Sequence, residues 1–169
     1  IQARPAVASF TFGILSSAQV RRIKMDAGSY VIGTATTPAE ALAWAEVGAD
    51  AVVASGLEAG GHRGTHEVTA TPNGLDHVEL LHLLADAPLD LVAAGGITTG
   101  GDTRRALEHG AIAVQAGTAY LLADEAGTSE VHREEIRAGR LEPTITRAFS
   151  GRPARGLRNR FVETFDDYA

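Results

Sequence analysis

Short apolar runs, each followed by a glycine turn and a helical stretch, recur along this chain. They constrain its fold more than any other feature. The runs fall at 6–12, 29–34, 50–54, 90–94 and 111–115. Their apolar residues are continuous rather than alternating, which is the pattern of strands buried on both faces. The reading is a parallel α/β sheet covered by helices. The first helix is predicted from Ser17 to Met25. The next starts at Thr37, which can cap, with Pro38 suited to the first helical position and Glu40 able to reach back to the cap amide. Ala41, Leu42 and Ala45 supply its apolar stripe and Gly48 can end it. Asp76 can cap a helix carrying Leu80, Leu81, Leu84 and Ala85. Asp102 to His109 reads as a short helix closed by Gly110. A further helix starts near Ser129, carries Val131 and Ile136, and closes at Gly139. From Leu141 the chain reads as an irregular tail, 141–169. No linker divides it, so 1–169 is read as one domain.

Composition narrows the function classes. Apolar residues make up 44 % and charged residues 21 %, enough apolar material for a core and too much for a disordered segment. No uncharged apolar run approaches the ~20 residues of a spanning helix. There is no cysteine, so a disulfide framework and a Cys-ligated metal are excluded. Fifteen basic against 21 acidic side chains leave a net charge of −6, which argues against non-specific binding to nucleic acid. The opening residues lack the pattern of a secretory signal. With the absence of cysteine, this gives a cytoplasmic expectation.

Three successive strands run into glycine-rich loops: Ser55-Gly-Leu-Glu-Ala-Gly-Gly-His-Arg-Gly64, Ala94-Gly-Gly-Ile-Thr-Thr-Gly-Gly101 and Gln115-Ala-Gly-Thr118. Ligands of parallel α/β folds gather at the carboxyl ends of strands. Glycine lets a ligand approach the backbone, and a following helix points free amides at an anion. Gly96 and Gly117-Thr118 are therefore the expected phosphate cradle. The competing account is that these glycines only serve tight strand-to-helix turns. Neither a Gly-x-Gly-x-x-Gly helix start after the first strand nor a Gly-Lys-Ser/Thr loop is present. A mononucleotide phosphate fits better than a pyrophosphate.

His62 lies inside the longest glycine loop, where Gly60, Gly61 and Gly64 leave its imidazole room to meet a ligand as proton acceptor or donor near neutrality. The structural alternative is a loop histidine bonded to backbone. His62 and His66 have metal-like spacing, but Arg63, Gly64 and Thr65 between them make a poor helix, so no metal is expected. Glu58 suits a general base or a carboxylate tying down loop amides. His109 fits a helix end, and Trp44 fits packing. Arg147, Arg152, Arg155, Arg158 and Arg160 crowd a stretch without acids. A tail pinned by Arg–carboxylate pairs, or a segment closing over the site, accounts for them better than nucleic-acid binding.

These loops also carry a resemblance. Glu58-Ala-Gly-Gly-His-Arg-Gly64, Ala93-Ala-Gly-Gly-Ile97, Gln115-Ala-Gly-Thr118, Ser150-Gly-Arg-Pro-Ala-Arg155 and the opening Ser9-Phe-Thr-Phe-Gly13 together resemble the nitronate monooxygenases, formerly 2-nitropropane dioxygenases. The likeness runs over essentially the whole chain. It implies an FMN-dependent (β/α)₈ TIM-type barrel, of which this chain supplies about five βα units, counted as the fourth to eighth. A whole barrel takes ~250 residues, so the chain looks like the C-terminal portion of one. The family positions imply FMN contacts at Ser55, Gly60, Gly61, Gly95, Gly96, Gln115, Ala116, Gly117 and Thr118, and a catalytic role for His62. Ser55 departs from the usual glutamine. The implied reaction oxidises an alkyl nitronate, or a nitroalkane, with O₂ to a carbonyl compound and nitrite. A homo-oligomer is compatible with it. FMN-dependent enoyl-acyl-carrier-protein reductases share the His loop and stand as the first alternative. A non-catalytic flavin-binding fragment or subunit is the second. A phosphosugar-processing barrel comes last.

Overall fold

The computed structural model describes residues 3–166. Among them the chain forms strands β1 (Val7–Phe10), β2 (Tyr30–Ala35), β3 (Ala51–Ser55), β4 (Gly61–His62), β5 (Asp90–Ala94), β6 (Ala113–Gln115), β7 (Pro143–Thr146) and β8 (Ala154–Leu157). The helices are α1 (Ser17–Arg22), α2 (Pro38–Glu46), α3 (His77–Leu83), α4 (Gly100–Glu108), α5 (Glu130–Ala138) and α6 (Arg160–Phe165). Strands β1-β2-β3-β5-β6 make one sheet in that order. All four of its pairings are parallel, with Ile32 opposite Ala51 and Ala54 opposite Ala93. Sequential strands lying side by side, with helices between them, form part of a TIM-type barrel wall.

The five expected strands are all present: the first and last are trimmed, the second and third run one residue later, and the fourth is unchanged. The first stops at Phe10 because Phe12 and Gly13 turn to positive φ, 70° and 127°. The last starts at Ala113 because the Ala111 amide still closes the preceding helix on Ala106. The first helix passes into a π turn over Ile23–Ala27 and ends at left-handed Gly28. Thr37, Asp76 and Thr99 each accept a bond from the third residue of the helix they cap. Glu40 departs from the capping-box expectation. Its Oε2 accepts from the amide and hydroxyl of Thr36, one residue before the cap, and its Oε1 from the His66 amide.

Packing follows from the apolar strand pattern. Trp44 is fully buried against β2, where the absence of a side chain at Gly33 makes room for its indole. A Cβ at Gly33 would collide with that ring. The indole N–H donates to the Thr34 carbonyl at 3.2 Å, so the ring is satisfied as well as packed. Leu80, Leu81 and Leu84 cover the neighbouring strands. At the amino ends of the strands polar groups do the stitching. Asp50 binds Lys24 at 2.6 Å and the Val31 amide at 2.8 Å, and the Tyr30 hydroxyl bonds Asp90. Burial, the bond to Asp90 and the nearby carboxylates push the Tyr30 phenol up to about 12.

The tail expected to be irregular from Leu141 is instead ordered into β7, β8 and α6. β8 pairs antiparallel with β7 on one side and with β4 on the other. These strands are short and half-exposed, and none is an apolar run. Only the partner strand identifies them, and local periodicity cannot supply that.

Candidate active site

The carboxyl ends of the parallel strands open into a cleft of about 370 Å³. Thr11 and Thr34, joined by a 3.0 Å hydroxyl bond, come from the ends of β1 and β2. Ser55, Gly60, His62, Gly95, Gly96, Gln115, Ala116, Gly117 and Thr118 line it too, as does Arg155 from β8. Thus every sequence-predicted site residue except Gly61 faces one cleft. Gly61 sits beside His62 in β4, where its φ of 80° turns the loop. Ser55 is buried at the cleft wall.

The glycines have two distinct physical reasons. A Cβ on Gly60 would come within 2.7 Å of Thr118 Oγ1, and one on Gly95 within 2.9 Å of the Ala59 amide nitrogen. These two let the three loops press against each other. Gly95 and Gly96 also adopt positive φ, 104° and 68°. Gly117 has open space where a side chain would be. Gly96, Gly117 and Thr118 line the cleft, and among the described residues their amides donate to no protein acceptor, so these donors stay free for an anion.

The expectation that the following helices offer their amides needs correction. At α4 the amides of the cap Thr99 and of Thr98 before it donate to Asp102, at 2.8 and 3.0 Å, and Gly100 and Gly101 of the first turn lie outside the cleft lining. Those bonds hold the Asp102 carboxyl down at about 2. After β6 comes a single 3₁₀ turn, Thr118–Tyr120, rather than an α-helix. A phosphate cradle here would therefore be one of loop amides.

His62 is exposed, and its Nε2 lies 2.7 Å from the Ser150 hydroxyl. Phe12 meets the imidazole edge-on at a centroid distance of 6.1 Å. Phe12 reaches that position through its left-handed backbone, a strain of about 1 kcal/mol for a residue with a Cβ. The Arg152 guanidinium covers the Phe12 ring at 4.7 Å.

Glu58 lines the cleft, and among the described residues no loop amide donates to it. Its Oε1 accepts from His77 Nδ1 at 2.9 Å, and its Oε2 is buried without a partner. Behind it Arg63 is 1 % exposed and donates through Nη1 to the Gly56 carbonyl, while its Nε and Nη2 lack partners. Burial pushes the Arg63 guanidinium below its ordinary range, opposed by the charges of Glu40 and Glu58. The sequence reading assigned Arg63 and His77 no part in this loop. An arginine beside glycines carries no local sign of being buried.

His66 bonds the Thr34 carbonyl and packs edge-on against Trp44, and no metal-holding cluster exists among the described residues. The arginine tail does reach the site, where Arg155 lines the cleft, and among the described residues its one carboxylate pair, Arg158 with Glu163 at 3.6 Å, lies within the tail itself. Arg147 donates to the carbonyls of Val68, Ala70 and Gly151, and Arg152 to that of Thr65. No described helix is long and apolar enough to cross a membrane.

Comparisons with known proteins agree with this arrangement. The family model described as nitronate monooxygenase matches residues 1–169. A Pseudomonas aeruginosa protein named nitronate monooxygenase is 46 % identical over 162 residues, covering 95 % of this chain and 46 % of its own length. A Staphylococcus aureus probable nitronate monooxygenase is 39 % identical, covering 99 % and 48 %. Among solved structures, nitroalkane oxidase from Streptomyces ansochromogenes superposes with a TM-score of 0.94 at 40 % identity, covering 99 % of this chain and 49 % of that one. FabK from Thermotoga maritima gives 0.80 at 29 %, covering 99 % and 51 %. The chain spans about half the length of the relatives it matches. A match along its whole length, at such identity, places the chain in the nitronate monooxygenase family.

Proposed function

We propose that this chain carries the phosphate cradle and the catalytic histidine of an FMN-dependent nitronate monooxygenase. The enzyme oxidises alkyl nitronates, and nitroalkanes through their nitronates, with O₂ to a carbonyl compound and nitrite. One observation carries the reading: His62 lines the same cleft as Gly96, Gly117 and Thr118, whose amides have no acceptor among the described residues. A base and an anion cradle on one cleft suit a phosphate-anchored cofactor beside an acidic carbon. FMN fits these residues, since one phosphate matches one group of loop amides and the Gly117 position leaves space beside it. When bound, the flavin supplies the electron transfer between substrate and oxygen.

This chain's residues perform the rest. The loop amides and Thr118 hold the phosphate, while Ser55, Gly60, Gly95, Ala116 and Gln115 line its approach. Neutral His62 removes the α-proton of a nitroalkane. Protonated, it donates to the nitronate oxygens and keeps the anion in place, with Arg155 adding positive charge to the same wall.

The test begins with the visible spectrum of the purified chain after free flavin is removed, where a bound-flavin spectrum is expected. In the flavin-loaded enzyme His62→Ala then loses activity on nitroalkanes about 100-fold or more, and on preformed nitronates less. Equal losses on both would overturn the base assignment. NADH consumption dependent on an enoyl thioester would replace the reading with a reductase. Flavin binding without turnover of any nitronate would make the chain a binding module.

A further inference from the structure

We infer that Ser150 is a positioning residue that fixes which nitrogen of His62 exchanges protons. The inference rests on the reading of His62 as the base. Ser150 sits at the turn between β7 and β8, 88 residues along the chain from His62, yet its Oγ is 2.7 Å from His62 Nε2. The Ser150 hydroxyl also accepts the Arg152 amide at 3.4 Å, and β8 is itself paired to β4 through Ala154 and His62. The hydroxyl therefore stands on a braced turn.

An imidazole can be a base at only one nitrogen at a time. The other then carries a proton and needs an acceptor. In this assignment Ser150 Oγ is that acceptor for Nε2–H. His62 Nδ1 makes no hydrogen bond among the described residues, which leaves it open to take the proton. Phe12, held under the Arg152 guanidinium, packs edge-on against the ring from a second side.

In the step this implies, the substrate Cα–H bond breaks and its proton goes to Nδ1. The electron pair moves onto the nitro oxygens, giving nitronate and imidazolium. Nε2–H stays on Ser150 throughout, so the ring need not turn. Without Ser150 the imidazole has no fixed orientation, and proton removal from carbon suffers more than binding of a nitronate.

The experiment is nitrogen-15 NMR of the histidine rings in the flavin-free chain, with His62 assigned by its loss in His62→Gln. The neutral wild-type ring is expected to be protonated at Nε2, with an N–H proton slow enough in exchange to be seen. Ser150→Ala should lose that proton signal, and Ser150→Thr should retain it. A wild-type ring protonated at Nδ1 would overturn the inference, and so would an unchanged Nε2–H signal in Ser150→Ala. Neither readout needs flavin or turnover, so this failure is distinct from failure of the proposed activity. In flavin-loaded enzyme Ser150→Ala should lower kcat on nitroalkanes about 10- to 100-fold with little change in KM. Ser150→Thr should recover most of it. An equal fall on nitronates would also count against the assignment.

Discussion

The parallel sheet and the small antiparallel cap of β4, β8 and β7 are held together by different forces. The sheet is apolar and covered by helices, and Val31, Ala35, Trp44, Val52 and Ala54 are sealed from water. The cap is a short ladder across the cleft mouth, and apart from buried Thr146 and Ala154 its strand residues are exposed or half-exposed. Arginines fasten it to backbone carbonyls: Arg147 to Val68, Ala70 and Gly151, and Arg152 to Thr65. Apolar burial is strong and insensitive to small shifts. Charge–carbonyl bonds are weaker in sum but fix direction. The difference teaches that stability resides in the sheet, whereas the orientation of His62 depends on the cap.

The largest expected effect strikes the sheet. Trp44→Ala removes the fully buried indole over Gly33 and should cost about 4 kcal/mol in urea unfolding. Cap and sheet should then lose protection together. A loss confined to the cap would invert the comparison.

A smaller effect isolates the cap. Arg147→Ala removes three carbonyl bonds and should cost about 2 kcal/mol. Hydrogen exchange should quicken in 61–70 and 147–157 while β2 and β3 stay protected. Equal quickening in β3 would show that the two regions unfold as one.

The smallest effect is electrostatic and belongs to the α4 cap. Asp102 accepts from Thr98 and Thr99, which hold it at about 2 instead of the ordinary 3.8. A depressed carboxyl stabilises the folded state above its unfolded pKa and loses that contribution as pH falls through the folded value. The Tm advantage of wild type over Asp102→Asn should therefore be constant near neutrality and shrink from pH 3.8 down through about 2. A pH-independent difference would remove the carboxylate from the account.

Much of this could be read from the chain. The central strands β3 and β5 were legible because both faces are largely buried, which writes a continuous apolar run into local sequence, whereas β1, β2 and β6 carry similar runs although part of each is half-buried or exposed. The caps at Thr37 and Asp76 were legible because a cap and its target lie three residues apart. The gathering of His62 with Gly96 and Gly117 followed from the rule that strand ends of a parallel sheet converge. Glu40, Glu58 and Arg63 were misread or missed, since each is decided by a residue distant in sequence or by burial alone.

By itself, then, the sequence determined the order and type of the main elements, the glycine positions of the three loops and the family. Each rests on neighbours within a few residues or on a motif. The tertiary structure alone decided that β8 reaches back to β4 and that Ser150 meets His62. Pairing between segments some 90 residues apart leaves no periodicity in either one, and a side chain's partner is chosen only when the chain has folded.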